Sequence, residues 1–195
     1  MINTLKDIKI VLGSQSPRRK ELLASMGLHF DVIIRSVDEQ VSESIDSALV
    51  AEHIAKKKME AFDGAEFKDS LIITADTVVV DEGNHVLGKP KSRQEAFDVL
   101  CSLSAKTHFV FTGVALKYGD QTHSFTQKTI VHFAELDEQE IAYYIDTFEP
   151  YDKAGAYGIQ EWIGRIAVQG IQGSYENVMG LPTAQLYKEM KRMMA

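Results

Sequence analysis

The ten residues Leu71–Val80, LIITADTVVV, form an almost continuous apolar run that two threonines and one carboxylate interrupt. A strand with one face in water alternates apolar and polar residues, whereas a strand covered on both faces is apolar almost throughout. The run therefore predicts a strand inside the protein. Segments with helical periodicity lie before and after it in the sequence, so the expected fold class is mixed α/β.

Further elements are predicted by apolar spacing and by residues that start or end helices. Helices are predicted from Pro17 to just before Gly27, over Ser47–Phe62, from Ser92 through Leu103, from Asp137 through Phe148, and from Pro182. Ser92 and Asp137 are each followed three residues later by Glu, which predicts a capping box. Strands are predicted at Ile8–Leu12, Thr107–Tyr118, His123–Ala134 and Arg165–Ile171. Residues 81–84 predict a hairpin turn, and residues 149–160 and 172–182 predict loops.

The charge balance of the chain argues against a general nucleic-acid binder. Its 195 residues include 28 Asp and Glu against 21 Lys and Arg, a formal net charge of −7, whereas nucleic-acid binding calls for a basic face. Cys101 is the one cysteine of the sequence, which suits a reducing compartment, and its apolar neighbours predict a buried thiol. No segment approaches the ~20 apolar residues that span a bilayer. We therefore expect a cytoplasmic protein.

The stretch GSQSPRRKELL, residues 13–23, concentrates positive charge at the start of the first predicted helix. A helix N-terminus offers unpaired N–H groups and a partial positive charge, so it is an anion site. Arg18 and Arg19 lie in the first turn, where the helix dipole disfavours cations. They either grip phosphate oxygens as paired forks or pair with surface carboxylates, and composition alone favours neither interpretation.

Several common nucleotide and metal motifs are absent from the sequence. It contains neither G-x-x-x-x-G-K-[ST] nor G-x-G-x-x-G, which argues against a P-loop or a dinucleotide-binding Rossmann fold. HExxH is also absent, and the six histidines include no pair spaced i, i+4 along a helix. A zinc site is therefore not expected.

Asp76 is the charged residue inside the apolar run, and a buried carboxylate is costly without a partner. If the hairpin turn is centred near Gly83, Asp76 and Thr77 lie opposite Lys89 and Pro90 to within two residues. A carboxylate would then face an ammonium, one orienting water and the other holding phosphate. The alternative is that Asp76 marks a strand end facing water.

The segment DKAGAYGIQ, residues 152–160, combines a charged pair with glycines and a terminal amide. Lys153 is a candidate phosphate ligand, and the amide of Gln160 offers both a donor and an acceptor to the edge of a base. Glu39, in SVDEQ, is a further acidic candidate for which a surface role is the default.

Five stretches in this order resemble the Maf family of nucleoside triphosphate pyrophosphatases: SQSPRR, ADTVV, GKP, DKAGAYGIQ and GSYENVMGLP. DKAGAYGIQ is similar to the dTTP/UTP pyrophosphatase branch, since the 7-methyl-GTP branch usually has glutamate at the position of Gln160. The chain differs from many members in one place: the third helix ends in LSA rather than LSG, with Ala105 at the predicted C′ position.

The resemblance implies hydrolysis of the α–β phosphoanhydride to a nucleoside monophosphate and pyrophosphate. Asp76 matches the general base of the family, and Arg18, Thr77 and Gln160 match the positions that discriminate substrates. The polar and basic positions of the family's site correspond in this sequence to Ser14, Arg19, Lys58, Lys89 and Lys153. Lys58 is selected only by the spacing A-x-x-K. A divalent cation, Mg²⁺ or Mn²⁺, is implied, with Glu39 and Asp76 as ligands.

The resemblance also implies one domain over residues 1–195, with an elongated sheet flanked by helices, two lobes around a cleft, and a homodimer. Two alternatives stay open. One is a pyrophosphatase for 7-methyl-GTP or a broad range of noncanonical nucleotides, and the other is a nucleotide-sensing regulator of cell division without catalysis. Which pyrimidine nucleotide is the physiological substrate, and whether Asp76 acts as base or metal ligand, are also open.

Overall fold

A computed structural model describes residues 8–42 and 44–194 of the chain. Its seven strands are β1 (Lys9–Leu12), β2 (Asp31–Val32), β3 (Ser70–Val80), β4 (Val86–Leu87), β5 (Thr107–Tyr118), β6 (Gln121–Phe133) and β7 (Val168–Gln172). They form one sheet in the order β2-β1-β3-β5-β6-β7, with β4 paired to β3. The pairs β1–β2 and β1–β3 are parallel, whereas β3–β4 and β6–β7 are antiparallel. Strand β3, Ser70–Val80, is buried at every position except Asp76 and Thr77. The mixed α/β class and the covered strand are therefore confirmed.

The chain divides into two compact units, the first being Met1–Asp76, Thr112–Gln127 and Gly180–Ala195 and the second Thr77–Phe111 and Lys128–Met179. The described part of the first unit begins with β1 (Lys9–Leu12), α1 (Pro17–Ser25), β2 (Asp31–Val32) and α2 (Ser47–Glu60), and it also contains portions of β3 and of the two longest strands. A 3-10 turn, Ala65–Phe67, precedes β3, and the unit ends with a helix at Thr183–Met193, α7 below.

The core of the first unit forms where α2 packs on the sheet. Met59 and Phe62 contact a cluster that includes Val11 and Ile72, and the rings of Phe62 and Phe67 meet edge to face at 5.2 Å between centroids. The carboxylate of Glu52 on α2 also accepts hydrogen bonds from Ser124 and Thr126 on the sheet, each at 2.7 Å. Apolar packing and a partly buried polar anchor therefore both fix α2, the helix that carries Lys58.

The second unit contains the hairpin strand β4 (Val86–Leu87) and helix α3 (Arg93–Leu103). The long strands β5 (Thr107–Tyr118) and β6 (Gln121–Phe133) contribute residues to both units. The second unit continues with α4 (Glu138–Phe148), 3-10 turns at Pro150–Asp152 and Ala154–Ala156, α5 (Trp162–Ala167), β7 (Val168–Gln172) and α6 (Tyr175–Met179); α7 follows. Its core includes Leu100, Tyr144 and Ile163, which are fully buried.

Helix starts follow the sequence signals with one exception. Ser16 caps α1 by accepting the Arg19 N–H, with Pro17 at the first helical position. The box at Asp137 is complete. At α3, Ser92 accepts the Glu95 N–H as predicted, but the Glu95 carboxylate accepts from the backbone of Lys91 instead of Ser92. The prediction of a reciprocal box there was wrong, because the side chain turned toward the preceding amide.

Two secondary-structure predictions were wrong in part. The strand expected at Arg165–Ile171 begins only at Val168, and the residues before it form α5. Ile163 and Ala167, spaced i, i+4, are the buried residues of α5, so the short helix follows its apolar face. The loop expected at residues 172–182 also contains a helix, α6, in which Asn177 is fully buried and donates to the Val110 carbonyl oxygen at 3.1 Å.

Cys101 is exposed, which overturns the expectation of a buried thiol. The buried positions of α3 are Ala96, Leu100 and Leu103, and Cys101 lies one step around the helix from Leu100. Its apolar sequence neighbours therefore indicated the character of the helix but not the direction of this side chain. Among the described residues, no helix is long and apolar enough to cross a membrane.

Ala105 is confirmed at the C′ position of α3, where it adopts a left-handed backbone with φ of 57°. An L-residue with a Cβ is strained there and glycine is not. We expect Ala105→Gly to raise the free energy of unfolding by about 0.5–1 kcal/mol, measured by urea denaturation. Ala48→Gly in helix α2 is the matched control and should lower stability by about 1 kcal/mol. Loss of stability in Ala105→Gly would contradict the assigned strain.

Candidate functional site

The loop before α1 is organised by two serines and a glycine. Ser14 Oγ accepts from the Ser16 N–H at 3.3 Å and from Arg19 Nη1 at 3.1 Å. A Cβ added to Gly13 would lie 2.8 Å from Thr74 Cγ2, so only glycine lets this loop pack against β3. The missing side chain of Gly13 therefore makes room for the side chains of the protein itself.

Arg19 is buried inside the first unit, with its guanidinium held by the protein. Nε donates to the Gly180 carbonyl oxygen at 2.8 Å, and Nη1 donates to Ser14. Burial lowers the pKa of Arg19 and nearby Arg18 adds to this, while the carboxylates of Asp76 and Glu39 act in the opposite direction. The two arginines of the opening stretch are therefore not equivalent, because Arg19 is buried whereas Arg18 is only partly buried.

Lys58 bridges two of the predicted acidic residues. Its Nζ lies 2.8 Å from Asp76 Oδ1 and 2.9 Å from Glu39 Oε1. The side chains of Lys58 and Asp76 are only 15% and 13% exposed, whereas Glu39 is about half exposed. The default surface role of Glu39 therefore gives way to a place in a charged cluster, formed by Glu39, Lys58 and Asp76.

The three consecutive lysines of α2 each have a different partner. These partners show which lysine belongs with Asp76, whereas the sequence selected Lys58 only by the spacing A-x-x-K. Lys56 pairs with Glu52 one turn earlier. Lys57 Nζ donates to the backbone carbonyl oxygen of Gln40 at 2.7 Å and thus holds the segment that carries Glu39. Only Lys58 reaches Asp76.

The charged cluster fits a divalent cation that also binds substrate phosphates. Two carboxylates converge on one ammonium, so they can converge on one cation, and Mg²⁺ typically takes one or two carboxylates together with phosphate oxygens. Residues 8–42 and 44–194 contain no group of three or more His, Cys, Asp or Glu side chains arranged to hold a metal alone. The two carboxylates therefore supply part of an oxygen ligand set for a divalent cation.

In the second unit, Lys153 and Gln160 belong to a folded segment rather than an open loop. Two 3-10 turns occupy part of it, and its residues from Gly155 to Ile159 are buried. Lys153 is itself buried, and its Nζ pairs with Asp152 Oδ1 at 2.8 Å and with Glu161 Oε1 at 3.1 Å. The predicted loop therefore holds its lysine between two carboxylates.

The side-chain oxygen of Gln160 is a buried acceptor without a partner. Its Oε1 is inaccessible to solvent and accepts no hydrogen bond from the described residues. A buried polar atom without a hydrogen bond costs on the order of 1–3 kcal/mol, so such atoms call for an explanation. A ligand N–H would supply one once the Gln160 side chain turns, because the oxygen is not accessible as the side chain stands.

Thr77 and Lys89 lie on the predicted hairpin of the second unit. The pairs Val79–Leu87 and Val80–Val86 confirm a turn centred on Gly83, but the pairing ends at Leu87. Lys89 therefore lies beyond the paired strand and is exposed. The Gly155 N–H donates to the Gly88 carbonyl oxygen at 3.2 Å, so the segment before Lys89 is joined to the one that follows Lys153.

The predicted residues divide between the two units, and contacts link several of them in the first. Ser14, Arg19, Glu39, Lys58 and Asp76 are linked in the first unit, where Arg18 is close enough to influence the Arg19 charge. Contacts that the sequence did not reveal join distant segments: Gly180 to Arg19, and Tyr144 and Glu161 to the segment 153–160. No spacing rule could have found these, because each joins separate elements.

Comparison with known proteins gives a consistent result over nearly the whole chain. A family model described as Maf-like protein matches residues 9–193. A relative named dTTP/UTP pyrophosphatase from Parabacteroides distasonis is 47% identical over 98% of this chain and 99% of its own length. Another relative of that name, from Flavobacterium psychrophilum, is 42% identical over 93% of each chain.

A solved structure, a dITP/XTP pyrophosphatase from Mycobacterium abscessus, matches 96% of this chain and 99% of its own with a TM-score of 0.46 and 10% identity. That likeness is too distant to support a conclusion about this protein. The family model and the relatives at 42–47% identity do support one. This chain belongs to the family of Maf-like proteins.

Proposed function

We propose that this protein hydrolyses dTTP and UTP to the nucleoside monophosphate and pyrophosphate. The oxygen of a water molecule attacks the α-phosphorus, and the bond from this phosphorus to the α–β bridging oxygen breaks. The bridging oxygen leaves with the pyrophosphate, and the water proton passes to a carboxylate base. The relatives at 42–47% identity carry the name of this activity, and the charged cluster supplies the carboxylates that the reaction requires.

Asp76 is the proposed base, and Lys58 is its positioning partner. The ammonium at 2.8 Å holds Oδ1 of a carboxylate that has little freedom to turn, because strand β3 is buried on either side of it. A divalent cation held by Glu39 and Asp76 would neutralise phosphate charge when it is bound. In this arrangement Asp76 can accept the proton or hold the cation.

Four cationic residues are the proposed phosphate ligands, by their match to the family motifs. Arg18 and Lys89 are accessible, while Arg19 and Lys153 are buried and already oriented by hydrogen bonds. Fixed cations stabilise the charge that develops on the phosphates without a reorganisation cost during the reaction. Ser14 belongs to this set through its hydrogen bond to Arg19.

The buried Oε1 of Gln160 is the observation that best supports a preference for uracil and thymine. Uracil and thymine present an N3–H donor, whereas cytosine presents an acceptor at the same ring position. An acceptor without a partner in the protein suits the first two bases and disfavours the third. Arg18 and Thr77 complete the proposed set of discriminating residues, by their match to the family motifs.

The direct test is pyrophosphate release from dTTP, UTP, CTP, ATP, GTP and 7-methyl-GTP, each with Mg²⁺ and with Mn²⁺. We expect dTTP and UTP to be the best substrates. Preference for 7-methyl-GTP would retain the chemistry and discard the pyrimidine assignment, and no release from any nucleotide would favour a nucleotide sensor.

The protein is proposed to act in the cytoplasm as a homodimer. The single cysteine suits a reducing compartment, and the resemblance to the family implies the dimer.

Substitution of Gln160 tests the base preference separately. Gln160→Glu keeps an acceptor but removes the amide donor and adds a charge that repels the pyrimidine carbonyl oxygens. We expect the ratio of kcat/KM for dTTP over 7-methyl-GTP to fall by roughly tenfold or more. Gln121→Glu, on the exposed start of β6, is the control for the added charge. An unchanged ratio would remove Gln160 from base recognition.

A further inference from the structure

Tyr144 and Glu161 form a hydrogen-bonded pair that holds the segment from Lys153 to Gln160. Tyr144, on α4, is fully buried and stacks on Phe148 at 5.2 Å between ring centroids. Its hydroxyl accepts from the Gly158 N–H at 3.0 Å and donates to Glu161 Oε2. One phenol therefore connects the backbone two residues before Gln160 to a carboxylate.

Glu161 directs its carboxylate back over this segment. It occupies the N-cap position of α5 but makes no side-chain capping hydrogen bond there. A Cβ added to Gly158 would lie 2.7 Å from Glu161 Cδ, so glycine leaves the space through which the carboxylate passes. Oε1 then lies 3.1 Å from Lys153 Nζ. The carboxylate thus engages the phenol with one oxygen and the ammonium with the other.

The ammonium of Lys153 has a largely buried opposite charge in Glu161. Lys153 is a buried cation, which requires an opposite charge nearby. Asp152, its other partner, is 54% exposed, whereas the Glu161 side chain is only 19% exposed. Burial, together with Glu161, raises the pKa of Tyr144, so the phenol stays protonated and keeps donating. Glu161 is therefore the inner partner of Lys153.

We propose that Tyr144 and Glu161 are positioning residues, which fix Lys153 for a phosphate and the Gly158–Gln160 backbone for a pyrimidine base. This rests on the proposed function, because it assigns these two residues to the same reaction. Neither residue has to touch the nucleotide. They act through Lys153 at one end of the segment and through the Gly158 N–H near the other.

The Tyr144→Phe variant tests the phenol. It leaves the Gly158 N–H without its acceptor and Glu161 without its donor, while the ring packing is kept. We expect KM for dTTP to rise by about tenfold with kcat changed less, and the preference for dTTP over CTP to fall. Tyr143→Phe is the matched control, because Tyr143 is the neighbouring residue on α4 and is 52% exposed. It should leave both parameters unchanged. Equal parameters in the two variants would overturn the proposal.

Variants of Glu161 test the carboxylate. Glu161→Gln removes the charge that holds Lys153, and we expect KM for dTTP to rise by about tenfold. Glu161→Asp keeps the charge on a shorter side chain and should recover part of the loss. A fall in KM for Glu161→Gln would mean that Glu161 competes with phosphate for Lys153, and would refute a positioning role. All rates are compared at a temperature at which each variant is folded by circular dichroism.

Backbone hydrogen exchange provides a readout that does not depend on activity. Exchange of the Gly158 amide, followed by NMR, should be at least roughly tenfold faster in Tyr144→Phe than in Tyr143→Phe. If the unmodified protein releases no pyrophosphate from any nucleotide, the proposed function fails, and this exchange still decides whether the pair orders the segment. Unchanged exchange at Gly158 would refute the role of Tyr144 even in an active enzyme.

Discussion

Asp76→Asn is expected to lower kcat for dTTP by about 10²–10⁴-fold with only a modest change in KM. Asparagine has nearly the same shape and can still accept from Lys58, but it cannot take a proton from water. Pyrophosphate release under saturating dTTP gives kcat for the variant and for the unmodified protein. Asp120→Asn, in the exposed turn between β5 and β6, controls for the loss of one negative charge.

The same variant separates the two roles that Asp76 can have. If Asp76 holds the cation, Asp76→Asn should weaken Mn²⁺ binding in the presence of dTTP, measured by the EPR signal of free Mn²⁺. If Asp76 acts only as the base, Mn²⁺ binding should stay within a few-fold while kcat falls. Turnover that survives within a few-fold would show that Asp76 is not catalytic and would require another base.

Local signals account for the parts of the fold that were predicted correctly. The apolar composition of Leu71–Val80 by itself indicates a strand that is covered on both faces. The N-cap serine of α1 and the capping box of α4 form hydrogen bonds within one turn of the helix that they start. The predicted bounds of β5 were correct, because its apolar pattern continues to the polar turn that ends it. Where the interactions that form an element lie within a few residues of each other, the local sequence predicts that element correctly.

Predictions failed where the deciding interaction came from another element. The strand expected from Arg165 begins only at Val168, because Ile163 and Ala167 are buried on one side of a short helix. Cys101 has apolar neighbours in the sequence, yet the helix turns it outward. In both cases, apolar neighbours in the sequence did not show which side chains pack against other elements.

The candidate site shows the same division between residue identity and residue contacts. Motif matches indicated Asp76, Lys58 and Lys153, and each lies in a charged network. Their partners were predicted only in part: the resemblance placed Glu39 with Asp76, whereas Glu161 belonged to no motif. An ion pair between residues far apart in the chain depends on how elements pack, and no local pattern records this.

His108 is expected to make the protein less stable as the pH falls below neutrality. It is fully buried beside Phe133 and Tyr157, and its Nε2 lies 2.8 Å from the Tyr157 hydroxyl. Burial lowers its pKa from 6.5 to about 4, and the nearby charge of His132 adds to this. The folded protein therefore resists protonating an imidazole that the unfolded chain protonates readily.

The sign follows from which state binds the proton. Above a pH of about 6.5 His108 is neutral in both states, so its contribution to stability is fully present. As the pH falls from there toward about 4, only the unfolded state gains the proton, and the contribution is lost. Between about pH 7 and about pH 4.5 we expect the free energy of unfolding to fall by about 2–3 kcal/mol from this residue alone.

Urea denaturation of matched variants isolates the effect from that of carboxylates. His108→Gln cannot titrate, so its stability should fall by about 2–3 kcal/mol less than that of the unmodified protein over this interval, whatever its stability at neutral pH. His29→Gln removes an exposed imidazole and should leave the pH dependence unchanged. Glu52, Asp81 and Asp146, whose pKa values are lowered, are present in all three proteins, and their contributions cancel in the comparison. Equal pH dependence in His108→Gln and the unmodified protein would mean that His108 is protonated in the fold.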